Sequence, residues 1–261
     1  MAGKENHLSK VDLHVHSRLS KNFEFEQASL QRLVDLGIRR GLDGFALTEH
    51  IHAKNFWEMH DHLRSHNSYH DGYYEMGQGF RVFSGFEMTV GERIDFIVVG
   101  ELDNLEKLDK AFSPRLSESN HVLGIEFLTK AREHEVILIS AHPYRPGKET
   151  AKLPLAEVFA LVDGIEANGR DFGTEYRVAA LAREHERAVS GGSDAHYYLQ
   201  VGVRSTVIPD DELTLDKIRG ALANRSTVAH CKPYTEQLVK LCKEIKNIAK
   251  LRNPTEAIVA A

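Results

Sequence analysis

Short apolar runs alternate along this chain with stretches whose apolar residues fall at helical spacing. The runs at residues 11–16, 44–47, 81–86, 94–99, 136–140, 164–167, 188–190, 203–208 and 227–229 predict strands. Between them, residues 27–40, with Leu30, Leu33 and Val34 on one face, predict a helix, as do 122–134, 155–162, 172–186 and 213–222. Residues 235–251 read as a closing helix and 252–261 as a frayed tail. Residues 55–76 are polar with scattered aromatics and read as a helical excursion. Within it His62, His66 and His70 recur at i, i+4 and i+8, the pattern of one solvated helix face. Residues 101–121 read as a loop. Strand-then-helix alternation predicts an α/β fold with a mostly parallel sheet. No repeat, low-complexity tract or linker interrupts it, so residues 1–261 read as one domain, with its core at about 11–230.

Composition narrows the classes. Hydrophobic residues make up 42% of the 261, enough for a substantial core. Net charge is −5, so no global positive field invites long nucleic acid or an anionic membrane. The first ten residues are polar, and no run approaches the ~18 apolar residues of a membrane span. Two cysteines, Cys231 and Cys242, build no disulfide framework, and a cytoplasmic location is expected. Histidine is abundant, with 15 in the chain, and these must be sorted.

Five apolar runs end in metal-ligand residue types: Asp12-Leu13-His14-Val15-His16, Leu47-Thr48-Glu49-His50, Ser84-Gly85-Phe86-Glu87, Ser140-Ala141-His142-Pro143 and Gly192-Ser193-Asp194-Ala195-His196. Each alone also fits a satisfied structural residue; core packing does not explain all five together. On a regular strand His14 and His16 share a face and can chelate one ion, with Asp12 placed on that face to orient an imidazole. Glu87 follows an apolar strand. A buried carboxylate there needs a partner, and its two oxygens suit it to bridge two ions. Pro143 favours an extended His142. Gly191 and Gly192 permit a close backbone path, and Asp194 and His196 alternate onto one face beyond them. Imidazole and carboxylate at converging strand ends suit transition-metal ions and hydrolysis. Arg145 and Arg170, with Asn168 beside the latter, lie in loops on the same face. Their guanidinium forks suit phosphate. Arg18 and Lys148 are weaker candidates, and His52 and His121 fall where the mouth of a site would be.

In order and identity these motifs resemble the PHP (polymerase and histidinol phosphatase) family of metal-dependent phosphoesterases, over about residues 11–196. The resemblance implies a distorted seven-stranded (β/α) barrel with two to three divalent ions of manganese, zinc or iron at the C-terminal ends of the strands. It implies that His14, His16, Glu87 and Asp194 hold one ion, that Glu87 and His142 reach a second, and that His50 and His196 hold a third. The chain departs from the family pattern in places. Lys21 and Asn22 stand where a His or Asp is common, which weakens the third site. Asp95 stands near a common histidine and is a substitute ligand. Glu49 replaces the usual Asp before His50.

The expected activity is hydrolysis of a small phosphate monoester by water deprotonated between two ions. Glu87 and His196 are the catalytic candidates, His196 or His50 is open as the acid, and Arg145, Arg170 and Asn168 bind substrate. Three other classes compete. An amidohydrolase-like C–N hydrolase would bridge its metals with a modified lysine, yet no lysine ends a core strand. A nuclease acting on short nucleotides shares the family. A non-catalytic metal-binding regulatory module would be expected to lose ligands.

Overall fold

The structure, a computed structural model, describes residues 8–91, 93–116, 123–148 and 155–252. The expected position His121 and the expected tail, apart from Arg252, lie outside these residues.

In chain order the elements are β1 (Ser9–Val15), α1 (Gln27–Arg39), β2 (Gly44–Leu47), α2 (Phe56–His66), β3 (Tyr69–His70), β4 (Tyr73–Glu75), β5 (Arg81–Thr89) and β6 (Asp95–Val99). They continue with α3 (Leu102–Leu116), α4 (Gly124–Ala131), β7 (Ile137–Ser140), α5 (Leu155–Leu161), β8 (Gly164–Asn168), α6 (Glu175–Glu184), β9 (Ala188–Gly192), β10 (Arg204–Ile208), α7 (Leu215–Ala223), β11 (Val228–Cys231) and α8 (Glu236–Arg252). One sheet runs in the order β11-β10-β1-β2-β5-β6-β7-β8-β9, with the β3–β4 hairpin attached to β5. Among the described residues, β1, β2, β5, β6, β7, β8 and β9 form a nearly closed, seven-stranded ring. The seam lies between β9 and β1. Asp194 N donates to His14 O at 2.8 Å and His16 N donates to Ala195 O at 2.8 Å, and antiparallel β10 fills the gap below.

Two apolar layers hold the ring. The lumen is packed by Val11, Leu13, Ala46, Phe83, Ile97, Val99, Ile137 and Ile139, and α7 plugs one end with Leu215, Ile218 and Leu222. The outer layer packs the other strand faces against the helices, for example Phe45 and Leu47 against Leu30, Leu33 and Val34 of α1. Each such buried side chain contributes roughly 1.5–3 kcal/mol.

Two departures from a regular parallel barrel shape the site. First, β6 runs antiparallel to both β5 and β7. Its first residue, Asp95, therefore stands at the same end of the ring as the last residues of the parallel strands. Second, β1 carries a bulge against β2. Asp12 pairs with Phe45 and Val15 with Leu47, so β1 spends one extra residue. The bulge breaks the alternation. Leu13 packs in the lumen with Val11, whereas Val15 joins the outer layer. The expectation that Leu13 and Val15 share one face and Asp12 shares the other with both histidines is thereby corrected.

Two segments also differ from their sequence reading. Residues 102–116 are helical, because Leu105, Leu108 and Phe112 recur at helical spacing and bury against the outer layer. The histidine stripe is broken: α2 ends at His66, and His70 lies in β3.

Candidate metal centre

One end of the ring gathers a set of imidazoles and carboxylates that β-strand chemistry alone does not require. His14 and His16 leave β1 just past the bulge and turn Nε2 toward Nε2 at 3.1 Å. Asp194 Oδ1 stands 3.8 Å from the first and 3.6 Å from the second. Glu87, near the end of β5, sits at the middle. Its Oε2 is 3.8 Å from His14 Nε2, 3.5 Å from His16 Nε2 and 3.0 Å from His50 Nδ1. Its Oε1 is 3.1 Å from His142 Nε2, which lies 3.4 Å from Asp95 Oδ2. Three groups result, each with ligand atoms within 4.8 Å of one another: His14–His16–Asp194, His16–His50–Glu87 and Glu87–Asp95–His142. His196 stacks on His16, ring centroids 4.2 Å apart, and its Nε2 is 3.4 Å from Asp194 Oδ1. His50 thus gathers with His16 and Glu87 rather than with His196, whose ring centroid is 6.4 Å away.

The donor set fits divalent transition ions. His14 Nε2 and His16 Nε2 face each other at 3.1 Å, a spacing at which one divalent cation would take a lone pair from each ring in its neutral form. Glu87 offers an oxygen to each side of the cluster, as a bridging carboxylate does. Every one of these side chains except His50 is buried.

Charge is balanced locally. Burial raises the Glu87 carboxyl pKa, but His50, His14 and His142 outweigh it and hold Glu87 well below the usual range. Burial likewise raises Asp194, and Arg170, Arg145 and His14 outweigh it, so Asp194 is also ionised. Burial, then His16 and Lys246, pushes His196 down into its neutral form.

Carboxylates behind the ligands fix their rings. Glu166, mid-strand in β8, accepts His14 Nδ1 at 2.9 Å through one oxygen and the His142 backbone N–H at 2.8 Å through the other. Glu49 lies 3.5 Å from His16 Nδ1 and also accepts from the Ser17 N–H at 2.6 Å. Sequence reasoning did not give Glu166 this role, although a carboxylate flanked by Ile165 and Ala167 was the available signal. Asp12 does not orient an imidazole. The bulge turns it toward the seam, where it accepts the backbone N–H groups of Ser193 at 2.8 Å and Gly202 at 2.7 Å. Gly192 is required by close approach: a Cβ there would lie 2.5 Å from His14 Cβ and 2.4 Å from Glu166 Oε1. His142 is not extended. Its φ of 29°, with 52° at Asp194, places two ligand candidates in the left-handed region that side chains seldom adopt, a strain typical of functional sites. At His142 the contacts to Glu166 and Glu87 override the preference that Pro143 imposes.

The expected substrate residues meet at Asp194. Arg145 Nη1 lies 2.7 Å from Asp194 Oδ2, and Arg170 Nη1 donates to both Asp194 oxygens at 3.1 Å. Asn168 is buried and fully engaged. Its oxygen accepts from Arg145 at 2.9 Å and from the Arg170 N–H at 2.8 Å, and its amide donates to Glu166 at 3.0 Å. Its side chain thus braces the two arginines. Arg18 is buried and donates to the carbonyls of Phe23 and Lys54, while Lys148 pairs with Asp95. His52 lies 3.1 Å from Lys21 Nζ. A cavity of ≈ 270 Å³ opens beside His16 and His196, walled by Phe23, Leu33, Tyr197 and Tyr198.

Residues 176–227 match a family region described as PHP-associated. Comparison with curated protein sequences finds no match. Among solved structures the fold is similar to PsfC from Pseudomonas syringae, with a TM-score of 0.75 and 22% identity, covering 93% of this chain and 99% of that one. It is also similar to the lesion-specific endonuclease EndoQ from Pyrococcus furiosus, with a TM-score of 0.67 and 17% identity over 84% of this chain and 56% of that one. A two-domain protein from Bacteroides vulgatus containing a PHP-like metal-dependent phosphoesterase shares 21% identity at a TM-score of 0.60, over 86% of this chain and 65% of that one. The chain thus spans well under the full length of the last two, and at these identities the likeness is one of fold.

Proposed function

We propose that this chain is a PHP-family protein and that it hydrolyses small phosphate monoesters with two to three divalent ions of manganese, zinc or iron. The observation that carries the reading is the convergence of three ligand groups on Glu87 at one end of the ring. In this proposal His14, His16, Asp194 and Glu87 hold one ion; Glu87, His142 and Asp95 hold a second; His50, with His16 or His196 beside it, holds the weakest. Bound there, the ions would supply Lewis acidity and lower the pKa of water toward neutrality. The chain's own residues do the rest. Glu166 and Glu49 keep the rings of His14 and His16 turned inward. Arg145 and Arg170, now paired with Asp194, would offer their remaining guanidinium donors to the phosphoryl oxygens. The cavity beside His196 receives the leaving group against Tyr197 and Tyr198.

A second reading has one observation in its favour. The likeness to a lesion-specific endonuclease keeps phosphodiester hydrolysis on nucleic acid open, against the net charge of −5. Both free cysteines suit a reducing compartment, so a cytoplasmic location belongs to the proposal. Among the described residues no helix is long and apolar enough to cross a membrane.

The test is a phosphate-release screen of the metal-reconstituted protein. Its panel holds nucleotides, sugar phosphates, histidinol phosphate and phosphotyrosine, with an abasic-site DNA duplex alongside. Turnover of a monoester and none of the duplex is expected. Cleavage of the duplex alone would replace the first reading with the second, and no metal on elemental analysis would reject both.

A further inference from the structure

The C-terminal helix lies beyond the last strand, and no sequence motif draws attention to it. It nevertheless reaches the metal face. α8 packs through Val239 and Cys242 onto the 3₁₀ turn Tyr198–Gln200, which follows His196 directly. Lys246 stands one helical turn beyond Cys242, on the same side of the helix. That position brings its ammonium within electrostatic reach of Arg170, Asp194, Glu87 and His196.

Three features separate Lys246 from an ordinary helix lysine. It is half-buried. It makes no hydrogen bond or ion pair within 4 Å among the described residues, whereas Lys240 on the same helix pairs with Glu236 at 2.7 Å. Its environment is also hostile to its own charge: burial and the neighbouring Arg170 push its pKa down to about 7, only partly offset by Asp194. Both oxygens of Asp194 are already held by Arg145 and Arg170. A third cation there gains little from a carboxylate already held by two arginines and is opposed by Arg170, until an anion enters the space between them.

We propose that Lys246 is an anion-binding residue of the metal site, completing with Arg170 and Arg145 a three-cation clamp for the oxygens of a phosphoryl group. The inference rests on the phosphoester reading above. It makes the C-terminal helix part of the substrate site, although the helix lies outside both the barrel ring and the PHP-associated region.

The test is calorimetric titration of inorganic phosphate into the metal-loaded full chain, with metal content and melting temperature recorded for each variant. Lys246→Gln is expected to weaken phosphate binding about 10–100-fold at unchanged metal content. Lys246→Arg is expected to restore most of it. Lys243→Gln, exposed on the same helix, is expected to leave it unchanged. Equal phosphate affinity in wild type, Lys246→Gln and Lys246→Arg would overturn this inference alone. A metal-loaded wild type that binds no phosphate would overturn the phosphoester reading, and this inference with it.

Discussion

Two parts of the molecule carry histidines at regular spacing, and they do opposite things with them. At the ring's end His14, His16, His50 and His142 point ring nitrogens at one another and at shared carboxylates, as close as 3.0–3.1 Å. On α2, His60 is taken up alone, and His62 and His66 pack ring to ring, centroids 4.2 Å apart. His60 is buried and hydrogen-bonds Tyr74 Oη at 2.8 Å, His62 packs edge-on to Phe25, and His66 Nδ1 turns back to the His62 carbonyl at 2.8 Å. No carboxylate joins His60, His62 and His66 in a ligand group among the described residues. Spacing on one element therefore says little. What distinguishes a site is convergence from different elements onto a common acceptor, here Glu87.

The largest expected effect breaks that convergence. Glu87→Gln keeps the shape but removes the shared charge, so kcat/KM on the best monoester should fall by ~10³-fold or more, with bound metal lost. Arg145→Ala, which removes one phosphate contact, should cost less, ~10²–10³-fold. His66→Ala should change neither metal content nor rate. Equal losses for Glu87→Gln and His66→Ala would erase the distinction between the two regions.

A smaller effect sharpens the comparison at the supporting layer. Glu166→Gln leaves every proposed ligand in place but weakens the hold on His14 Nδ1. Metal affinity is expected to drop ~10–100-fold in competition with a chelator, while the fully loaded variant keeps most of its activity. Unchanged affinity would show that Glu166 does not orient His14.

The smallest effect belongs to α2 and concerns stability. Burial pushes the His60 pKa down to about 3. The unfolded chain, with a histidine pKa of about 6.5, takes up a proton that the folded chain refuses. His60 thus contributes its full stability above pH 6.5, and that contribution is lost as pH falls from 6.5 toward 3. At pH 5 the loss is about 2 kcal/mol. In His60→Gln the stability difference between pH 7 and pH 5, from urea unfolding of the metal-free protein, should shrink by about that amount. An identical difference in both proteins would show that His60 titrates normally.

Much of this was legible before any coordinates, and the reason is periodicity. His14, His16, Glu87, His142 and Asp194 each close an apolar run, so their common location followed once the runs were read as neighbouring strands. What stayed hidden was set by tertiary geometry. The bulge in β1 is a matter of register with β2 and leaves no mark on Asp12-Leu13-His14-Val15-His16, so Asp12 was assigned to the wrong face. Strand direction was equally silent. Only the reversal of β6 explains why Asp95, at the start of its strand, stands beside His142 at the end of another. Lys246 could not be found from sequence, since nothing in α8 records which strand ends it overlies.

The seam between β9 and β1 has a further consequence for how the molecule comes together. Glu87 and Asp95 belong to one hairpin, so that half of a metal group can form while the chain is still largely unstructured. His14, His16 and Asp194 meet only when the first strand of the ring finds the last, across a junction stitched by a few backbone bonds and the two N–H groups that Asp12 accepts. An ion seated among them is a clasp on a hoop. Under the proposed metal-bound reading it would add its binding free energy where the ladder is thinnest, so the metal supply would set how often the ring springs open.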